Sequence, residues 1–140
     1  MNKQLVKINN TDLLVKEFNG QRVVTFKDID MLHERVDGTA KRNFNENKKH
    51  FIENEDYFYI NGQELRNLKQ STKFVLSNAK EIILITESGY LMLVKSLQDD
   101  LAWQVQRELV NNYFRVKSNF NNQLQAINPV GLNDVDKFFG

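Results

Sequence analysis

Residues 23–51 read VVTFKDIDMLHERVDGTAKRNFNENKKHF, and this stretch predicts two short helices joined by a glycine-containing turn. In the first helix, Ile29, Leu32 and Val36 follow the i, i+3, i+7 spacing of an amphipathic helix. Asp37-Gly38 is expected to end it, because glycine readily adopts the left-handed conformation found just past a helix C-terminus. Two short helices at this spacing are typical of a helix-turn-helix-like pair.

The second predicted helix, at residues 38–51, has an apolar side and a polar side. Ala40, Phe44 and Phe51 fall on one narrow stripe at 3.6 residues per turn, so they are expected to anchor the helix on the core. The same arithmetic groups four polar side chains on the far side: Arg42, Asn45, Glu46 and Lys49. The segment carries four basic residues against one acidic residue, a net charge of +3.

These polar residue types suit a DNA groove. Arginine can bond bidentately to guanine and asparagine to adenine in the major groove, while lysines neutralise phosphates. Thr39 and the amides at the helix start could hold a phosphate. The predicted DNA contacts are Thr39, Lys41, Arg42, Asn43, Asn45, Asn47, Lys48 and Lys49. The alternative is a merely solvated helix face in a chain that is rich in asparagine and lysine.

Strand signals lie on both sides of the helix pair. Asn19-Gly20, between apolar-rich segments, predicts a β-hairpin with a type I′ turn, after which Thr25 can cap the first helix in a variant of the capping box with Asp28. Tyr57 to Ile60 and Ile82 to Ile85 are expected to form strands because they are aromatic or β-branched. Asn61-Gly62 predicts a second hairpin turn, and residues 63–80 are expected to form a basic hairpin or wing.

The C-terminal third predicts helices. Thr86 is a candidate cap for one of them, and a long helix is expected after Asp99-Asp100, whose charges suit a helix N-terminus. Trp103 is expected in the core or in a dimer interface, with base stacking as the alternative. A heptad-like seam, which could pack within the chain or join two copies, is formed by Tyr113, Val116, Phe120, Leu124 and Ile127. The overall expectation is an α+β fold: a small β-hairpin sheet with about four helices, including the helix-turn-helix-like pair and the long C-terminal helix.

Composition limits the classes of function. The chain has 140 residues, no cysteine, two histidines and a net charge of only +1, so thiolate metal sites and coating of nucleic acid by the whole surface are excluded. No apolar run approaches the roughly 20 residues that span a bilayer, and a cytoplasmic protein is expected. A P-loop and a nucleophile elbow are both missing. We expect no catalysis, no metal and no cofactor.

The order of these elements resembles the N-terminal domain of phage antirepressor-type regulators of the KilA-N and Bro-N group, in the branch named after a phage's sixth open reading frame. The segments that carry the resemblance are VTFKDID, NFNENKKHFIENEDYF, ITESGYLMLVKSL and VQRELVNNYFR. It covers about residues 8–117, leaving 118–140 as a C-terminal extension with the seam and a Phe-rich tail, in place of the variable second domain common in the group.

The resemblance implies a phage or prophage regulator that acts in a bacterial host cell. Two modes of action stay open: binding of double-stranded DNA, expected as a homodimer, and antirepressor action by direct contact with a phage repressor protein. The near-zero net charge and the apolar tail, Leu132 to Phe139, favour the second mode. The resemblance transfers candidate DNA contacts only to the lysines, the arginine and the asparagines already named within residues 41–49.

Overall fold

The computed structural model describes residues 4–71 and 78–116. In these two ranges the chain forms three two-stranded antiparallel sheets and five α-helices. The α+β class predicted from the sequence is therefore confirmed. None of the helices within the two ranges combines the length and the apolar character needed to cross a membrane.

Two hairpins open the fold: β1 (Leu5–Ile8) pairs with β2 (Thr11–Leu14), and β3 (Lys16–Phe18) pairs with β4 (Gln21–Val23). The second turn is the predicted one, with Asn19 and Gly20 at φ of 55° and 80°. The first turn, Asn9-Asn10, was not predicted. Asparagine tolerates the left-handed region better than most residues, so this pair turns the chain without glycine at φ of 49° and 68°.

Helix α1 (Phe26–Leu32) begins as predicted, with a reciprocal capping box between Thr25 and Asp28. Its end was predicted wrongly. The chain leaves the helix at His33 because Glu34, at φ of 54°, takes the left-handed conformation that was assigned to Gly38. Val36 consequently lies in the connecting loop, 78% exposed, instead of extending the apolar stripe.

Helix α2 (Thr39–Glu46) is the second member of the pair and is shorter than predicted. Gly38 is its N-cap, at φ of 97°, and a separate 3-10 turn follows at Lys48–His50. The prediction of one continuous helix over residues 38–51 is therefore wrong, because the backbone leaves the α-helical conformation at Asn47, where φ is −118°.

The central sheet pairs β5 (Tyr57–Asn61) with β6 (Glu81–Ile85), as the aromatic and β-branched runs predict. Val24 joins this sheet to the hairpins through mutual backbone hydrogen bonds with Ile85. Asn61-Gly62 does not make a hairpin turn. It starts α3 (Gly62–Ser71), whose Leu65 and Leu68 are buried against the sheet. The expected wing is thus a helix up to Ser71, and residues 72–77 lie outside the described ranges.

Helices α4 (Glu87–Val94) and α5 (Asp100–Leu109) complete the fold, and α5 continues into a π-helical turn, Val110–Phe114. Thr86 caps α4 as predicted, and the long C-terminal helix is confirmed. The inward face of α5 and the turn consists of Ala102, Val105, Leu109 and Tyr113. Trp103 lies outside that face and is 66% exposed, so the prediction that it lies in the core is wrong.

Tyr113 ties the C-terminal helix to the second hairpin. Its hydroxyl accepts a hydrogen bond from the backbone amide of Lys16 at 2.9 Å and donates to the carbonyl of Val23 at 2.5 Å. The Lys16 ammonium forms a buried ion pair with Asp28 at 2.9 Å. Tyr113 has no exposed surface, so its predicted place in an oligomer interface is corrected to the chain's own core.

Candidate nucleic-acid interface

The inner side of α2 is held by aromatic packing. Ala40 and Phe44 are buried, as predicted. The Phe44 ring centroid lies 4.9 Å from that of Phe51, 4.9 Å from that of Tyr57 and 5.4 Å from that of Phe26. Pairs at these distances contribute about 0.5–1.5 kcal/mol each beyond the area they bury. Phe44 therefore fixes the rotation of α2 about its own axis, which decides the side chains that face solvent.

The N-terminus of α2 is held by a carboxylate from α1. Asp30 accepts hydrogen bonds from the amide of Gly38 at 2.8 Å and from the amide of Ala40 at 2.9 Å. The hydroxyl of Thr39 donates to the carbonyl of Val36 at 2.5 Å. The backbone amide of Thr39 also donates to the carbonyl of Val36, at 3.1 Å. These acceptors take amides that a helix start otherwise offers to an anion, so the predicted phosphate site at Thr39 is already occupied by the protein.

The C-terminal part of α2 is fixed by two asparagines that were predicted to contact DNA. The side-chain amide of Asn43 donates to the carbonyl of Leu93 in α4 at 2.9 Å. The amide of Asn47 donates both to the carbonyl and to the side-chain oxygen of Asn43, at 2.9 and 2.8 Å. Asn43 is half-buried, and its amide holds α2 on α4 instead of facing a groove.

The remaining predicted contacts are exposed: Lys41, Arg42, Asn45, Lys48 and Lys49. In the described ranges none of these five side chains has a hydrogen-bond or ion-pair partner. Arg42 and Asn45 lie opposite Ala40 and Phe44 on the helix, as 100° per residue requires. Lys48 and Lys49 belong to the 3-10 turn, so the angular grouping of Lys49 with Arg42 and Asn45 no longer follows from helix geometry.

A family model described as the ORF6N domain matches residues 13–96, more than half of the chain. The chain belongs to the ORF6N family. This confirms the resemblance to phage antirepressor-type domains. No curated protein and no solved structure matches the chain.

The matched part of the ORF6N domain runs from β2 through α4. It therefore includes α1, α2, the 3-10 turn and the α4 segment on which Asn43 is fixed. Helix α5 follows the matched range, and the predicted boundary near residue 117 stays a prediction. Three of the predicted seam residues, Phe120, Leu124 and Ile127, lie outside the described ranges. Of the other two, Tyr113 is buried and Val116 is 42% exposed.

Proposed function

We propose that this ORF6N domain is a DNA-binding transcriptional regulator of the phage antirepressor type, with α2 as its reading helix. The observation that carries the proposal is the exposure of Arg42 and Asn45 on a helix whose opposite side is packed through Phe44. Both ends of that helix are held by other parts of the domain. Reading a base edge needs side chains presented from a rigid element, and α2 meets this requirement.

The dimensions and the chemistry of α2 suit the major groove. Its eight residues span about 12 Å at 1.5 Å per residue, comparable with a groove about 12 Å wide. Arg42 can bond guanine and Asn45 can bond adenine through paired hydrogen bonds. Lys41, Lys48 and Lys49 supply positive charge for the phosphates on either side.

Selection of bound duplexes from a random DNA library, at a stated salt concentration, tests the proposal. Arg42→Ala or Asn45→Ala should lower the preference for the selected sequence by about 1–3 kcal/mol per lost base contact. Lys48→Ala should weaken binding to all sequences alike and reduce the slope of log affinity against log salt by about 0.9. Lys95→Ala, an exposed lysine on α4's C-terminal side, is the control. A wild-type protein without salt-dependent binding to any duplex would refute DNA reading.

A second candidate function is direct binding of a repressor protein. The observation that favours it is Trp103, which is 66% exposed on the outer side of α5, since tryptophan is enriched among the residues that dominate protein interfaces. The test is capture of a repressor from host extract after nuclease treatment, using wild type, Trp103→Ser and a chain truncated after residue 127. Capture that is lost in either variant supports this candidate, whereas no capture by wild type refutes it.

Homodimerisation is a further part of the proposal, because two-fold readers match symmetric operators. Phe120, Leu124 and Ile127 continue from Val116 at spacings of four, four and three residues. Light scattering of wild type and Phe120→Asp tests this seam. A dimeric mass that falls to that of the monomer supports it, and a mass that does not change excludes it.

A further inference from the structure

A cavity lies beneath α2, between this helix, α1 and α4. Its enclosed part has room for only about two water-sized groups, and the rest of the roughly 310 Å³ between the lining residues opens to solvent. Five of the lining residues are apolar and five are polar or charged, with Asp30, His33 and Asn43 among the polar ones. The polar residues decide what the cavity can bind.

His33 is 97% buried, and one of its ring nitrogens, Nδ1, has no hydrogen-bond partner within the described ranges. The other, Nε2, lies 2.7 Å from the hydroxyl of Tyr90. Burial lowers the pKa of His33 to about 4, partly offset by Asp99, so the ring is neutral at pH 7. A buried polar atom without a partner costs stability, and at the wall of a cavity it marks a place for a ligand atom.

The Tyr90 contact decides which nitrogen carries the proton. Burial raises the pKa of Tyr90, so its hydroxyl keeps its hydrogen, and His33 is the only hydrogen-bond partner of that hydroxyl in the described parts of the chain. If Nε2 donated to the hydroxyl, both the tyrosine hydrogen and Nδ1 would be left unsatisfied. Donation from Tyr90 to Nε2 leaves one unsatisfied group, so Nδ1 carries the proton and is a free N–H donor.

The charges around the cavity cancel. Asp30 uses both carboxylate oxygens on the amides of α2, and Arg35, at the rim, is paired with Asp99 at 3.4 Å. The other polar groups of the wall have partners within the described residues, which leaves His33 Nδ1 as the buried donor without one. The wall therefore favours a neutral ligand with an acceptor oxygen, because a buried charge would find no counter-charge.

The cavity also touches the groups that hold the reading helix. Asp30 caps the start of α2, and Asn43 fixes its C-terminal half on α4 through Leu93. All three residues line the cavity. A molecule that occupies this space contacts both groups that hold α2 in place. It therefore shifts the equilibrium between orientations of α2 towards the orientation that it binds more tightly.

We propose that this cavity is a binding site for a small neutral molecule with a carbonyl or hydroxyl oxygen, which accepts a hydrogen bond from His33 Nδ1 and adjusts the orientation of α2. The binding site stands independently of the proposed DNA reading. The regulatory consequence rests on the proposed DNA reading, since α2 is the proposed reading helix.

Nuclear magnetic resonance of the ¹⁵N-labelled protein tests the site without DNA, so failure of DNA reading would not affect the result. The probe is butan-2-one, which has five heavy atoms and is expected to bind at millimolar concentration. We expect a proton on His33 Nδ1, a saturable shift of that resonance, and shifts of α2 amides with the same midpoint. An unprotonated Nδ1, or no saturable shift up to 100 mM probe, would overturn the proposal and leave water as the occupant.

The variant His33→Gln separates binding from unspecific solvent effects. Glutamine can keep an acceptor near Tyr90, but it places no donor at the Nδ1 position. Its affinity for butan-2-one should fall at least tenfold, with amide shifts of β5 and β6 unchanged from wild type. Equal affinity in the variant contradicts the assigned donor. If the variant does not fold, the wild-type Nδ1 resonance alone decides the matter.

Discussion

The carboxylate of Asp30, near the end of α1, accepts hydrogen bonds from the amides of Gly38 and Ala40 at the start of α2. One helix therefore supplies the carboxylate that satisfies the first amides of the next, across a six-residue connection. Asp30 is 4% exposed, and its negative charge lies at the positive end of the α2 dipole. The relative orientation of the two helices is thereby fixed by the same side chain that stabilises the second.

Replacing Asp30 by alanine should lower the free energy of unfolding by about 2 kcal/mol, the upper part of the range for loss of a cap, because the amides that it satisfies lie in a partly buried place. Urea denaturation measures this change. Asp37→Ala is the control, since Asp37 is exposed in the same connection, and it should change stability by less than about 0.5 kcal/mol. Equal losses in the two variants would contradict the capping role.

The features that the sequence predicts correctly are those set by neighbouring residues. The capping box of Thr25 and Asp28, the cap at Thr86 and the turn at Asn19-Gly20 each join residues at most three apart. The strand at Ile82 to Ile85 follows from its own composition. The inward side of α2 also follows, because Ala40 and Phe44 are one turn apart.

The errors arise where distant contacts decide the structure. Asn43 has the same side chain as Asn45, but the carbonyl of Leu93, fifty residues away, holds it against α4. The cap at Asp30 spans a loop, so no local motif indicates it. Trp103 lies at helical spacing from other apolar residues of α5, which predicted burial. The face of α5 that packs on the core is a different one, and Trp103 is exposed. Gly62 follows an asparagine as a hairpin glycine would, but buried contacts of Leu65 and Leu68 favour a helix.

Substitutions of Asn43 and Asn45 should affect different properties, the first the stability of the domain and the second its DNA binding. Asn43→Ala removes the hydrogen bond to Leu93 and an acceptor for Asn47, so it should lower the free energy of unfolding by about 1 kcal/mol. Asn45→Ala removes only an exposed side chain and should change stability by less than about 0.5 kcal/mol. Its effect should instead be a loss of sequence preference, measured by competition between selected and random duplexes. The reverse pattern would exchange the roles assigned to the two asparagines.

Gly89, in α4, should not tolerate alanine. A Cβ at this position would clash with the carbonyl oxygen of Asp56, which also accepts hydrogen bonds from the backbone and hydroxyl of Thr86. Helix α4 would have to move, and overpacking of this kind costs about 3 kcal/mol. Thermal or urea unfolding measures the loss. Gly20→Ala, where the new Cβ meets no atom within 4 Å, should cost only about 1 kcal/mol from its positive φ. A smaller loss at Gly89 than at Gly20 would be inconsistent with the close packing.

The buried imidazole of His33 should make the domain acid-sensitive. Burial lowers its pKa from 6.5 to about 4 in the folded state. Between these values the unfolded chain binds more protons than the folded one, so stability is complete above pH 6.5 and decreases as the pH falls towards 4. At about 1.36 kcal/mol per pKa unit, the loss at pH 4 relative to pH 7 approaches about 3 kcal/mol.

Urea midpoints at pH 4, 5, 6 and 7, in wild type and in His33→Gln, isolate this contribution from that of the carboxylates. The carboxylates are the same in both proteins, whereas only wild type carries the imidazole that must stay neutral to remain buried against Tyr90. The difference in unfolding free energy between the two proteins should therefore change steadily in favour of the variant below pH 6.5. A difference that stays constant over this range would mean that His33 is protonated in the folded domain as readily as in the unfolded chain, and that its Nδ1 is not confined to a water-poor site.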